Sequence, residues 1–254
     1  MKGMALRTTI WTGYPARSPL VGAHRGASAV APENTLEAFE AAIAAGADFI
    51  ETDLRLSRDG IPVAFHDADL KRLCGDPRKV AELDMDELRS LRSGIVAMTD
   101  AIDMIGGRAS ILLDTKLHEQ VALERCIAAL ESRTADGRIA FGVRSLDAFD
   151  VVHTHLPQCP TLGLFSNIGD YPALALRGGT WARLWEADAS ADNLANLRRL
   201  GLKTVIMTGD PMDGSVGLIK ADALAELCFN GPDAVMVNDP SLAVEVIGQA
   251  TQPV

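Results

Sequence analysis

Short runs of apolar and β-branched residues recur along this chain. Each is followed by an alanine- and leucine-rich stretch whose apolar positions repeat at helical spacing. The strand candidates are "LVGAHRG" (20–26), "FIETDLRL" (49–56), "SILLDTKL" (110–117), "RIAFGV" (138–143), "TLGLF" (161–165), "ARLWEAD" (182–188), "KTVIMTG" (203–209) and "AVMVND" (234–239). Helix starts are marked by Asn34-Thr35 before "LEAFEAAIAAG", Ser145 before "LDAFDVVHTHL", Asp192 before "NLANLRRLG" and Asp239-Pro240 before "SLAVEVIG". Gly46 and Gly201 fall where such helices should stop. Strict alternation implies parallel strands, and eight such units predict an α/β chain folded as a (β/α)8 TIM barrel, with a doubly wound open sheet as the alternative.

One interval breaks this rhythm. "GIPVAFHDADL" (60–70) reads as a further strand or an extension of strand 2, and residues 71–107 hold two short helical patterns, "DMDELRSLRSG" and "TDAIDMIGG". That interval is expected to be a small insertion at the barrel mouth, within a single domain covering 1–254.

Composition narrows the function more than the fold. Of the 254 residues, 48% are hydrophobic and 23% charged, which is enough for a large core, and the net charge of −10 argues against nucleic acid or anionic membranes as general partners. Any activity is therefore concentrated in a local site, where a basic pocket could still hold an anion. Cys74, Cys126, Cys159 and Cys228 form no CxxC pair, so neither a zinc site nor a disulfide framework is indicated. The first twenty residues contain no continuous apolar segment, and nowhere do about 18 apolar residues run together. A soluble, cytoplasmic protein without stable membrane insertion is expected, and a homo-oligomer is left open.

In a barrel, the carboxyl ends of the strands converge on the face where active sites are built. Strand 1 brings His24 and Arg25 there, strand 2 brings Glu51 and Asp53, its continuation brings His66 and Asp67, and strand 3 brings Asp114 and Lys116. Residues two apart share a face of a strand, so Glu51 lies with Asp53 and Asp114 with Lys116. Three carboxylates in one confined space repel each other unless a positive charge sits among them. An all-oxygen set suits Mg²⁺ or Ca²⁺, which leaves His24 and His66 free for proton transfer. Arg25 and Lys116 add fixed positive charge, and the whole describes a receptor for a phosphate ester. The plainer reading of each pair is a salt-bridged rim; their placement at consecutive strand ends favours a site.

Other candidates carry less. His153 and His155 fall at the end of a helix and read as solvated or capping residues. His118 reads as a neighbour of the site. Of Trp185 and Glu186, one should face the interior, and "TGDPMDGSVG" (208–217) reads as a lid or a turn.

The stretches "AHRGASAVAPENTLEAF", "GADFIETDLRLSRDGIPVAFHD", "LLDTK" and "GPDAVMVNDP" resemble the glycerophosphodiester phosphodiesterase family, within the wider group of phospholipase C-like phosphodiesterases. The resemblance runs in order over residues 23–240. It implies hydrolysis of a glycerophosphodiester to sn-glycerol 3-phosphate and an alcohol, with His24 and His66 as the acid/base pair, Glu51 and Asp53 as metal ligands, and Arg25 on phosphate. Three departures stand out. Asp114 occupies the position of a family glutamate, Met207 in "MTGD" stands where relatives carry a tryptophan that shapes the alcohol-side pocket, and the insertion is shorter. A phosphodiester-binding barrel without turnover and a toxin-like lyase yielding cyclic phosphate are the alternatives.

Overall fold

The computed structural model describes residues 9–13 and 18–250 of the chain. Eight strands form the barrel: β1 (Leu20–His24), β2 (Phe49–Leu56), β3 (Ser110–Thr115), β4 (Ile139–Val143), β5 (Thr161–Gly163), β6 (Trp181–Trp185), β7 (Lys203–Met207) and β8 (Ala234–Val237). Each pairs in parallel with its successor, and β1 pairs with both β2 and β8. The sheet is therefore closed, as the TIM-barrel reading expected, and the open-sheet alternative falls.

A single period-2 register explains both the core and the site. Inward residues near the amino ends of the strands, including Leu20, Phe49, Leu112, Ala140, Leu162, Trp181, Val205 and Ala234, pack with Trp11 into an apolar floor. Trp11 meets Phe49 and Trp181 with ring centroids 5.0 and 5.4 Å apart, and its indole N–H donates to the Arg138 carbonyl at 3.0 Å. The intervening outward residues, such as Val21, Ile50, Ile111 and Phe141, join the larger core beneath the helices. Two or four residues beyond the floor, the same inward face turns polar: Glu51 and Asp53 after Phe49, Asp114 after Leu112, Arg183 after Trp181.

Gly22 is set between floor and site on β1. A Cβ there would lie 2.2 Å from the Phe49 ring. Gly22→Ala is expected to cost about 1–3 kcal/mol through overpacking, read as a lower urea midpoint at unchanged slope.

The helical ring follows the strands: α1 (Leu36–Ala44), α2 (Met98–Ile105), α3 (Gln120–Thr134), α4 (Leu146–His155), α5 (Tyr171–Leu176), α6 (Ala191–Arg199), α7 (Ala221–Phe229) and α8 (Pro240–Ala250). Thr35 and Ser145 cap α1 and α4 by accepting from the Ala38 and Ala148 amides. The cap of α6 is Ser190, whose hydroxyl accepts from Asn193 N, two residues before the expected Asp192. Asp192 lies inside the first turn, where its charge complements the helix dipole instead.

Over residues 60–107, the expected insertion and the strand before it, the structure separates two parts. The segment Pro62–Ala64 runs back antiparallel along β2, and with the chain after it builds a small core from Val63, Phe65, Leu70, Val80, Leu83 and Leu88. Helix α2, by contrast, buries Ala101, Ile102 and Ile105 in the main core and is the outer helix of the second strand–helix unit. All four cysteines are free thiols. Among the described residues no helix is long and apolar enough to cross a membrane.

Candidate active site

A cavity of about 700 Å³ opens at the carboxyl ends of the strands, and His24, Arg25, Glu51, His66, Asp114 and Lys116 all line it. Asp53 lies just beneath. One carboxylate oxygen from each of Glu51, Asp53 and Asp114 falls within 4.8 Å of the others. All seven residues singled out in the sequence therefore meet in one place.

Local backbone geometry brings the first of them there. Arg25 has φ 58° and Asn34 φ 57°, left-handed conformations that a non-glycine residue adopts at a cost. The turn at Arg25 aims its backbone N–H at Glu51 Oε2, 2.8 Å away. Gly26 follows with φ 80°, where a Cβ would sit 2.7 Å from the Ala38 backbone, so glycine is required beside the His-Arg pair. Asn34 N donates to the Arg25 carbonyl at 3.0 Å, which joins the two turns. The Asn34 side chain then accepts from the Thr52 hydroxyl and the Asp53 amide and donates to Asp53 Oδ2 at 2.8 Å. This explains why Asn follows Glu in "PENT".

The acidic cluster is unevenly neutralised. Asp53 has Arg25 Nε at 3.4 Å and Lys116 Nζ at 3.0 Å. Burial works against its charge, but Lys116 and then Arg25 hold its carboxyl far below the usual range. Asp114 is gripped by Lys116 and, through both oxygens, by Arg144 at 3.0 and 2.5 Å. Glu51 differs: it is 2% exposed, and among the described residues no Lys or Arg side chain pairs with it. Burial, then Asp53, then Asp114 push its carboxyl well above the ordinary range. Asp53 Oδ1 is buried and accepts no aligned hydrogen bond, its one close cation being Lys116 Nζ. A buried carboxylate that no cationic side chain pairs with, Glu51, set against two further carboxylates is what a hard divalent cation would relieve, so the cluster fits such an ion. Asp53 and Asp114 each also face two cationic side chains.

The two histidines are held at the same ring nitrogen by different partners. His24 Nδ1 lies 2.8 Å from Asn238 Oδ1, while Asn238 Nδ2 donates to the Val216 carbonyl. With its amide committed, Asn238 offers His24 an acceptor, so Nδ1 carries the proton and Nε2 has the free lone pair. Burial and then Arg25 push the His24 imidazolium down to about 4. His66 Nδ1 instead meets the Asp67 carboxylate at 2.6 Å, and its side chain is one-third exposed. Arg72 Nε donates to Asp67, and its other nitrogens reach Glu33, which also accepts from Arg25. Arg55 fixes the His66 backbone by donating to its carbonyl at 2.9 and 2.6 Å.

Arg144, Arg183, Asn238 and Arg55 were not singled out in the sequence. Each is the next inward residue of its strand register, a signal that reading only charged pairs passes over. Trp185 lines the cavity, whereas Glu186 turns away and accepts from Gly209 N at 2.7 Å. That bond and the pairing of Gly217 N with Thr208 O tie 208–217 into a closed turn. Met207 and His118 line the cavity too. His153 stacks on Phe149, and His155 lies 3.7 Å from Glu124, both away from it.

The profile of the Glycerophosphoryl diester phosphodiesterase family matches residues 24–241, most of the chain. The chain belongs to this family. A probable glycerophosphodiester phosphodiesterase 1 of Mycobacterium tuberculosis is 46% identical over 79 residues, which is 31% of this chain and 29% of that protein. The match thus spans under a third of that relative's length. Among solved structures, a glycerophosphodiester phosphodiesterase from Thermotoga maritima superposes with TM-score 0.74 at 24% identity, covering 91% of this chain and 100% of that one. An Oleispira antarctica phosphodiesterase, solved in complex with the product sn-glycerol-3-phosphate, superposes with TM-score 0.78 at 23% identity over 91% and 97% of the two chains. These family structures share the barrel.

Proposed function

We propose that this chain is a divalent-cation-dependent phosphodiesterase that splits a glycerophosphodiester into sn-glycerol 3-phosphate and an alcohol. The observation that carries this reading is the pair of imidazoles, each anchored at Nδ1, lining one cavity with an acidic cluster and several cations. Family membership supports the reaction class, and the product found in the Oleispira antarctica structure supports glycerol phosphate as product.

The two anchors divide the labour. His24, neutral down to about pH 4 and with Nε2 free, takes the proton from the attacking hydroxyl, whether of water or of the substrate's own glycerol. His66 is pushed down as well, by burial first, with the Asp53 carboxylate raising it and Arg25 and Lys116 lowering it further. Its part, returning a proton to the leaving oxygen, rests on geometry instead: Nδ1 is held by the Asp67 carboxylate at 2.6 Å and the ring is one-third exposed at the cavity. Arg25 and Lys116 face the phosphoryl oxygens and stabilise the charge that gathers there. Glu51 and Asp53 hold the cation, which when bound supplies Lewis-acid polarisation of the phosphoryl group; Mg²⁺ and Ca²⁺ both suit an all-oxygen site. The substrate is a small molecule; the barrel as one domain and a soluble cytoplasmic setting belong to the same proposal.

Purified protein with Mg²⁺ or Ca²⁺ is expected to release sn-glycerol 3-phosphate from glycerophosphocholine, and excess EDTA to stop it. ³¹P NMR of the products separates the outcomes: a phosphomonoester supports hydrolysis, a stable cyclic phosphate means a lyase, and unchanged diester across a panel overturns the reading. Asn238→Ala should lower kcat about tenfold to a hundredfold by loosening the His24 ring, with KM little changed in steady-state assays.

A further inference from the structure

Among the described residues Arg183 is a buried guanidinium that no carboxylate pairs with. It occupies the inward position of β6 between Trp181 in the floor and Trp185 at the mouth, and it is 6% exposed. Its Nη1 is buried without a partner, and Nη2 reaches only the Leu164 carbonyl at 3.4 Å. The guanidinium carbon lies 4.2 Å from the Trp185 ring centroid. Among the described residues no carboxylate forms an ion pair with it. A buried cation with an unsatisfied N–H is costly, and native structures keep few of them. What lines the same cavity says what would satisfy it.

Charge accounting sharpens the point. In the acidic cluster three carboxylates already face three cationic side chains, Arg25, Lys116 and Arg144. A bound divalent cation would leave that group positive, and a phosphodiester carries one negative charge. Arg183 is surplus to both. In an eight-stranded barrel β6 stands opposite β2, so Arg183 lies across the cavity from Glu51 and Asp53. That is where the far arm of a diester would reach, between Leu164, Trp185 and Met207. Arg144, on β4's inward register, lines the same cavity but is held by Asp114 through both oxygens, which leaves Arg183 as the unspent guanidinium.

We propose that Arg183 forms a subsite for a second anionic group, so that the preferred substrate is a phosphodiester whose alcohol arm ends in a carboxylate or phosphomonoester. The inference rests on the phosphodiesterase reading and names its substrate class. An anion entering this wall gains charge-assisted bonds from a fork-shaped donor that is already desolvated and held against an indole face. A cationic arm such as choline meets repulsion instead.

The test compares diesters of sn-glycerol 3-phosphate with ethylene glycol, glycolate and ethylene glycol monophosphate, which differ little in size but carry neutral, carboxylate and phosphate arms. For the wild-type protein, kcat/KM with an anionic arm is expected to exceed that of the neutral diester by about tenfold or more, and the better of the two anionic arms identifies the chemistry. Arg183→Met should bring the ratio close to one. Should that variant fail to fold by circular dichroism, Arg183→Lys, which keeps the charge but loses the fork, should lower the ratio to an intermediate value. A wild-type ratio of one or below overturns the inference while leaving the phosphodiesterase reading intact, as does a high ratio unchanged by either substitution. No turnover of any diester overturns both.

Discussion

Alanine in place of either His24 or His66 is expected to lower kcat/KM on glycerophosphocholine by about 10²–10⁴ at neutral pH. The two losses should differ in their response to the leaving group. If His66 protonates the departing oxygen, a nitrophenyl diester, whose leaving group departs as a stable anion, needs little help from it. His66→Ala should therefore retain much of its activity on the chromogenic ester, while His24→Ala stays impaired on both substrates. The reverse pattern exchanges the roles, and full activity of either variant on glycerophosphocholine refutes the pairing. The pH profile gives a second reading. With the His24 imidazolium pushed down to about 4 by burial and then Arg25, the acidic limb of kcat/KM should lie well below the ordinary histidine value of 6.5. That limb should survive in His66→Ala and vanish in His24→Ala.

The legible part of this protein was whatever the chain encodes locally. Eight apolar runs followed by helical spacing was enough for the barrel, because parallel strands buried on both faces read as nearly continuous hydrophobic segments. The residues in "HRG", "ETD", "FHD" and "DTK" were legible because each brings two groups to one strand end. Their long-range partners were not. Asn238 reaches His24 across 214 positions, and Arg144 reaches Asp114 across 30. Nothing local distinguishes Arg144 in "GVRSL" from an ordinary residue after a strand. Its meaning depends on the closed register that places Ala140, Gly142 and Arg144 on one inward line. Asp114 shows the same limit: the sequence places it with Glu51 and Asp53 as a metal ligand, and the fold keeps it in that cluster while adding Arg144, a partner 30 positions away, to its oxygens. The Ser190 cap was missed because "SADN" offers several capping residues in succession, and packing decides among them.

Glu51→Gln is expected to abolish diesterase activity and yet stabilise the chelated protein at neutral and alkaline pH. The two effects share one cause. Glu51 is fully buried, and among the described residues it has only the Arg25 backbone N–H for a donor. Burial and then the Asp53 and Asp114 carboxylates raise its folded-state carboxyl well above the 4.5 of the exposed group. The folded chain then binds more protons than the unfolded one between 4.5 and the raised value, so stability falls as pH climbs through that window and stays lower above it. This is opposite in sign to the usual salt-bridged carboxylate. Glutamine keeps the shape and removes the charge, so in EDTA the variant should melt above wild type at pH 8 and near it at pH 4. Adding Mg²⁺ or Ca²⁺ should raise the wild-type midpoint at pH 8, because an ion that binds only the folded state stabilises it by mass action. The variant should respond far less. A chelated wild type that melts independently of pH from 4 to 8, and gains nothing from either cation, would show that Glu51 is not held for a metal and would remove the electrostatic basis for the site.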